Sequence, residues 1–296
     1  MLGTARETTT NKSKLVDRLR QISRGAPSPI GFGRVAGASV PAMLLVAALP
    51  RNEPALAEAA ARAGADAVVL RLCGAATEYL KETGDLAAES QAIKDSIAAI
   101  DGKAIGGLII GSNGSLQSGD LARLTDLGVD FVAAYPHLTP AAFLELTDLG
   151  RVAILDHYGG SVARGINDLS VQAALLRIDR PSESPPEMTV LDVATYRAAA
   201  DGIHRPIIVF PSWNLIASDL EVLKNAGIEG VAMVGPEPDA DAEKIESTIA
   251  QFREVVGRLG KPTGRRVALA EPAVILPRAA ALADDEPDEP DEDDGA

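Results

Sequence analysis

The side chains in this sequence that could move a proton or grip an anion gather at the carboxyl ends of short apolar runs. The densest group is Asp156, His157 and Tyr158, at the end of RVAILDH (151–157) and just beyond it. A carboxylate beside an imidazole holds it in one tautomer, and the pair can then serve as a general base near neutral pH. Along an extended strand Asp156 and His157 point to opposite faces, so only one of them faces whatever the strand encloses. The same residues could do less, with Asp156 capping the next turn and His157 on the rim. His137, after Tyr135 and Pro136 at the end of FVAAYP (131–136), is a second proton carrier. Arg71 ends AVVLRL (67–72), and a buried guanidinium there needs an anionic partner: Asp156, Asp179 or a substrate carboxylate. Ser212, Trp213 and Asn214 follow PIIVFP (206–211). The hydroxyl and the amide can orient polar groups. Trp213, the only tryptophan, can wall a site by stacking or pack under a loop. Together these residues fit proton transfer beside a carbonyl, with an oxyanion partner, on a small carboxylated or phosphorylated substrate. A lyase or an isomerase does that chemistry.

Other chemistries find less support. No lysine ends an apolar run, so the desolvated amine of a Schiff-base enzyme is missing. Asp156, His157, His137, Asp179 and Glu237 could offer mixed N/O ligands, but no compact motif joins them and no metal is assigned. Cys73, the single cysteine, is a nucleophile only if its thiolate is favoured; a small buried thiol is the plainer reading.

These residues are positioned by a repeating rhythm. Apolar runs at 43–50, 67–72, 105–112, 131–136, 151–157, 206–211 and 230–235 alternate with amphipathic helical stretches, and 173–178 (AALLRI) is read as the remaining strand. Continuous apolar runs suit strands covered on both faces. Eight strand–helix units close into a (β/α)8 barrel, whose sites lie at the carboxyl ends of the strands. Three helices end alike, in AGADAVVL, LGVDFVAA and AGIEGVAMVG, each with a Gly where a left-handed turn must stop the helix. The string LTDLG occurs twice, at 124–128 and 146–150, and is read both times as a helix ending. A strand at 173–178 requires a short or irregular fifth crossover around 161–170. A long closing helix is expected to run to about residue 260.

Composition bounds the partners. With a formal charge of −14 over 296 residues, nucleic acid and anionic membrane surfaces are poor partners. No apolar stretch reaches the ~18 residues of a membrane span. The first residues lack the apolar segment of a signal peptide, and one cysteine fits a reducing cytoplasm. Residues 1–34 form a basic extension in which Leu15, Val16, Leu19 and Ile22 fall at helical spacing, as a plug for the barrel bottom or an oligomer contact. The barrel is expected over 35–260. Residues 261–283 are apolar enough to dock on the barrel or on a second copy, which makes a homo-oligomer the expected assembly. Residues 284–296 carry nine acids and no base, an acidic tail expected to be disordered that solubilises the chain or docks a basic protein partner.

The stretch 206–235 resembles the last quarter of the phosphate-binding TIM barrels, the group that includes indole-glycerol-phosphate synthase, thiamine-phosphate synthase and FMN-dependent barrels. Asp219, Leu223, Ala226, Gly227, Val231, Val234 and Gly235 carry that resemblance. It implies a (β/α)8 fold and a phosphate held by backbone N–H groups after the last two strands. The gripping turn departs from the family. Ser212, Trp213 and Asn214 stand where glycines let the backbone approach, Pro236 lacks an N–H, and Glu237, Asp239 and Asp241 add negative charge. The departures weaken the implied phosphate grip and the implied FMN with it, and no cofactor is assigned. They also support a second reading, a barrel without catalysis that serves as a subunit or scaffold. An open cavity at the strand ends would favour the enzyme; a top filled by Trp213, Tyr135 and Tyr158 would favour the scaffold.

Overall fold

A computed structural model describes residues 13–24, 40–156, 160–178, 180, 183–235 and 237–259. His157, Tyr158, Asp179, Pro236, most of the basic extension and the whole of 260–296 lie outside the described residues, and with them the docking segment and the acidic tail.

Eight parallel strands form a closed barrel in sequence order. They are β1 (Leu44–Ala48), β2 (Ala67–Leu72), β3 (Ile105–Ile110), β4 (Phe131–Ala134), β5 (Gly150–Leu155), β6 (Ala173–Leu176), β7 (Ile207–Val209) and β8 (Gly230–Val234). Helix α1 (Lys14–Arg24) precedes them. Then α2 (Pro54–Arg62), α3 (Leu86–Ile100), α4 (Leu121–Thr125), α5 (Gly160–Asp168), α6 (Val190–Gly202), α7 (Asp219–Asn225) and α8 (Ala242–Arg258) fill the crossovers and close the chain. Gly64, Gly128 and Gly227 take φ of +94°, +78° and +95°, so the three repeated helix endings do turn left-handed.

The fifth crossover, expected to be short or irregular around 161–170, holds the nine-residue α5. The crossover without an α-helix lies one unit earlier, between β4 and β5. There the chain makes only the 3₁₀ turns Pro136–Leu138 and Ala141–Glu145. Pro140 explains why the two turns do not merge: it lacks an N–H and holds Thr139 extended at φ −122° and ψ 128°, so no helix runs from the first turn into the second. The second LTDLG is not a helix ending either. Its first copy ends α4 with Gly128 at positive φ, whereas in the second copy Gly150 opens β5.

Each strand alternates between two cores. Outward side chains such as Leu45, Val68, Leu108 and Val231 join those of the helices. Inward ones such as Val46, Val69, Phe131, Val152 and Leu175 fill the barrel. Leu15, Leu19 and Ile22 of α1 join the inward set and seal the amino end. The repeat units place an acid two residues after each of those glycines, and the acids close this end. Asp66 accepts from the Leu45 N–H at 2.9 Å, and Glu229 from the Ile207 N–H at 2.8 Å. Asp130 accepts from the Ser13 hydroxyl at 2.7 Å and from the Lys14 and Leu15 N–H groups at 2.7 and 3.0 Å, satisfying the exposed donors of the first turn of α1.

Candidate functional site

A cavity of about 970 Å³ opens at the carboxyl end of the barrel. Its floor is set by strand tilt. Following the paired registers from strand to strand, Arg71 of β2, Tyr135 just past β4, Arg177 just past β6 and Val234 of β8 share one level. Layers of four side chains from alternate strands are how such a barrel fills. The level beneath, from the odd strands, is Ala48, Ile109, Ile154 and Phe210, an apolar floor. The ladder continues far enough to hold the upper level in place: the Arg177 N–H reaches the Leu155 carbonyl at 3.0 Å and the Phe210 N–H the Leu176 carbonyl at 2.8 Å. One residue higher, the same spacing brings Gly111, Asp156 and Ser212 to a common level above the arginines.

Arg71 is only 6% exposed, yet among the described residues it has no carboxylate partner. Its Nη1 donates to the Lys81 carbonyl at 2.7 Å and its Nη2 to the Ala75 carbonyl at 2.9 Å. The β2–α3 loop therefore wraps the guanidinium. Gly74 makes this possible, since a Cβ there would come within 2.3 Å of Nη2. Asn52 fixes the strand end, accepting from the Arg71 N–H at 2.9 Å and donating to its carbonyl at 2.7 Å. Burial holds the Arg71 guanidinium below its ordinary range, and the charge of Arg177 adds to the effect. Arg177 is exposed within the cavity and donates through Nη1 to the Tyr135 hydroxyl at 3.2 Å. It too has no ion pair among the described residues. Arg180 differs: it pairs with Asp192 at 3.1 Å and lies 6.0 Å from the centre of the Trp213 ring.

The other residues singled out from the sequence fall in several places. Asp156 has the inward parity of β5, is half-buried and does not line the cavity. His137 lies exposed in a 3₁₀ turn, its ring 5.7 Å from that of Tyr135 in an edge-on contact. Ser212 lines the cavity, and its hydroxyl donates to the Ile178 carbonyl at 2.8 Å. Asn214 lines it too and accepts from the Tyr79 hydroxyl at 3.0 Å, a bridge between the β2–α3 and β7–α7 loops. Trp213 is 8% exposed; its Nε1 donates to Asp219 at 3.1 Å and its ring leans on Tyr196 at 5.7 Å. It forms a fixed wall. His157 and Asp179 lie outside the described residues.

Cys73 has φ of +50°, a strained value for a residue other than glycine. Burial pushes its thiol up, and Asp85 and Asp120 push it further, which works against a thiolate nucleophile at neutral pH. No lysine lines the cavity among the described residues, and no cluster of three or more potential metal ligands occurs among them. No helix of the described residues is long and apolar enough to cross a membrane.

The region after β8, where the resemblance places a phosphate, is occupied by satisfied acids. Lys81 pairs with Asp239 and Lys244 with Glu237. Asp241 caps α8 by accepting the Lys244 N–H at 2.9 Å. Arg51 holds the loop from below, donating to the Pro238 and Ala240 carbonyls at 3.1 and 3.0 Å. The positive charge at the mouth comes instead from Arg71 of β2 and Arg177 just past β6. Both arginines stand at strand ends in the sequence, but only Arg71 is assigned a role from it. The signal was available in the strand alternation, which puts residues 173, 175 and 177 on one face.

No protein-family model and no curated protein sequence matches this chain. Solved structures do. Thiamine phosphate pyrophosphorylase from Pyrococcus furiosus superposes with a TM-score of 0.54 at 13% identity, covering 73% of this chain and 96% of the other. Phosphoribosyl anthranilate isomerase from Thermus thermophilus gives 0.51 at 15%, covering 71% and 99%. A mutant tryptophan synthase alpha-subunit from Pyrococcus furiosus gives 0.54 at 13%, covering 71% and 97%. At such identities the likeness establishes the TIM-barrel fold and nothing narrower.

Proposed function

We propose that this protein is a barrel enzyme, a lyase or isomerase, acting on a small carboxylated or phosphorylated metabolite at the carboxyl ends of the strands. One observation carries the reading: an open cavity of about 970 Å³ holds Arg71 and Arg177, and neither has a carboxylate partner among the described residues. A volume near the upper end of the roughly 300–1,000 Å³ usual for ligand sites suits a small metabolite with room for water. The buried charge of Arg71 is costly unless a counter-charge is near, and an anion bound at this level would supply one. A purely structural barrel would be expected to fill this end, as the amino end is filled.

In this reading Arg71 and Arg177 supply the charge that attracts the anion. Asp156 with His157 or His137 moves the proton, Ser212 and Asn214 orient polar groups, Asp179 joins them as a substrate-binding residue, and Trp213 backs the wall. The isomerase and the synthase subunit among the structural neighbours agree with a barrel of this kind hosting such chemistry. The test is a thermal-shift panel of sugar phosphates, 2-oxo acids, FMN and divalent metals on the full chain. A ligand at about 100 times its Kd should add about 2.7 kcal/mol. Stabilisation confined to an anionic class supports the reading; no shift from any anionic compound removes it in favour of the scaffold.

A further inference from the structure

We infer that the ligand's oxyanion seats on Arg177, near the barrel axis, with Tyr135 orienting the guanidinium, while Arg71 is a positioning residue that pins the 73–85 loop across the mouth. This rests on the reading of the cavity as an anion site and divides its two arginines by what each is already doing.

Arg71 is committed. Both of its terminal nitrogens donate to main-chain carbonyls of one loop, at 2.7 and 2.9 Å, and the guanidinium is folded against Gly74, which has no side chain to displace it. The loop so held is tied by other contacts as well. The Gly74 N–H donates to the Thr83 hydroxyl at 2.9 Å, Tyr79 reaches Asn214 at 3.0 Å, and Lys81 pairs with Asp239. These two donations fix the edge of the guanidinium on the loop, and turning the fork toward an anion would loosen the carbonyls that hold this strap. Three of its five N–H donors are not so spent, but the fork is oriented by the loop, and its charge contributes to the field.

Arg177 is available. It is exposed in the cavity, and among the described residues its side chain spends one donation, at 3.2 Å, on the Tyr135 hydroxyl. A guanidinium offers five N–H donors in a planar fork, so donors remain for an oxyanion. Tyr135 is 5% exposed and rooted in the inward core, which makes it a firm support for the fork. Arg71, on the opposite side of the same level, adds attraction without a direct bond. The floor beneath is apolar, with Ile109, Ile154 and Phe210, so the charge of the ligand must stay at the arginine level and its body must extend toward the mouth. The chemistry shared by candidate ligands is one terminal oxyanion on a compact body. A carboxylate and a phosphate ester both satisfy it.

The experiment is a calorimetric titration of the full chain with pyruvate and, separately, with inorganic phosphate at constant ionic strength. Wild type is compared with Arg177→Gln, Arg71→Gln and Tyr135→Phe, with hydrogen exchange followed across 73–85. Arg177→Gln should weaken whichever anion binds by on the order of tenfold to a hundredfold, the range for a hydrogen bond to a charged group, and should leave the unfolding midpoint in place. Tyr135→Phe should weaken it less. Arg71→Gln should speed exchange across 73–85 and lower the unfolding midpoint, with a smaller loss of affinity than Arg177→Gln. Tighter pyruvate identifies a carboxylate seat, and tighter phosphate a phosphate seat. The inference is overturned if Arg177→Gln binds as wild type does, if Arg71→Gln abolishes binding with loop exchange unchanged, or if wild type binds neither anion. Deuterium incorporation from solvent into pyruvate separates the two readings. Binding lost in Arg177→Gln with no exchange in wild type keeps the seat and removes the proton-transfer enzyme. Exchange in wild type, with normal binding in Arg177→Gln, does the reverse.

Discussion

The two ends of the barrel treat charge in opposite ways. At the amino end every acid placed by the repeat units is matched. Asp66 accepts from β1 and pairs with Arg253, Asp130 takes the first turn of α1, and Glu229 accepts from β7 and from Ser23 at 3.2 Å. At the carboxyl end Arg71 and Arg177 share a level above an apolar floor, and neither meets a carboxylate among the described residues. A matched charge stabilises the fold and asks nothing of solvent or ligand. An unmatched one raises the free energy of the empty site and so favours whatever anion relieves it. The same strands therefore carry stability at one end and binding at the other, a separation this fold permits because loops at one face vary without disturbing the other.

The contrast can be broken in order of effect. Asp156→Ala tests the carboxyl end. Loss of a general base typically costs about 10²- to 10⁴-fold in rate, so once a substrate is found turnover should fall by that much with unchanged circular dichroism. Full retention of ligand affinity and turnover would remove Asp156 from the site. Leu19→Ala tests the amino end. Leu19 has no exposed surface, and truncating a buried leucine costs about 2–5 kcal/mol, to be read as a lower denaturation midpoint with anion affinity unaltered. Loss of affinity in that variant would show that the two ends are coupled. Asp130→Ala should cost about 1–3 kcal/mol, since it leaves the first N–H groups of α1 without their acceptor. Limited proteolysis near residues 13–24 would report it. The smallest effect is at Tyr79→Phe, which removes one exposed bridge to Asn214 and about 0.5–1.5 kcal/mol at most. Hydrogen exchange across 73–85 is the sensitive measure there, and an unchanged rate would mean that the Tyr79–Asn214 bridge does not hold the strap.

Legibility differed by element type. Most strands were readable because a parallel barrel buries both faces, so they appear as mainly apolar runs, with AALLRI at 173–178 the least distinct. The helix endings were readable because only a left-handed turn lets the chain re-enter the sheet there, and glycine takes it without strain. The two LTDLG strings mark the limit. Identical pentapeptides end a helix at Gly128 and open a strand at Gly150, because the second follows only the 3₁₀ turn Ala141–Glu145 and its Leu146 is already extended. Of the site, Arg71 was legible as a cation at a strand end. Its capture by the Lys81 and Ala75 carbonyls was not, since a loop's path over a side chain leaves no periodic trace. Trp213 was open between a ligand wall and a packed side chain, and its bond to Asp219 and contact with Tyr196 fix it in place.

By itself the sequence determined the barrel, the polar residues at its carboxyl ends and the weakness of a phosphate grip after β8, because burial periodicity, missing N–H groups and carboxylate charge are local properties. Only the tertiary structure decided that Arg71, Tyr135 and Arg177 share one level. That level is set by the tilt at which the strands close, and tilt belongs to the whole sheet and to no single segment of chain.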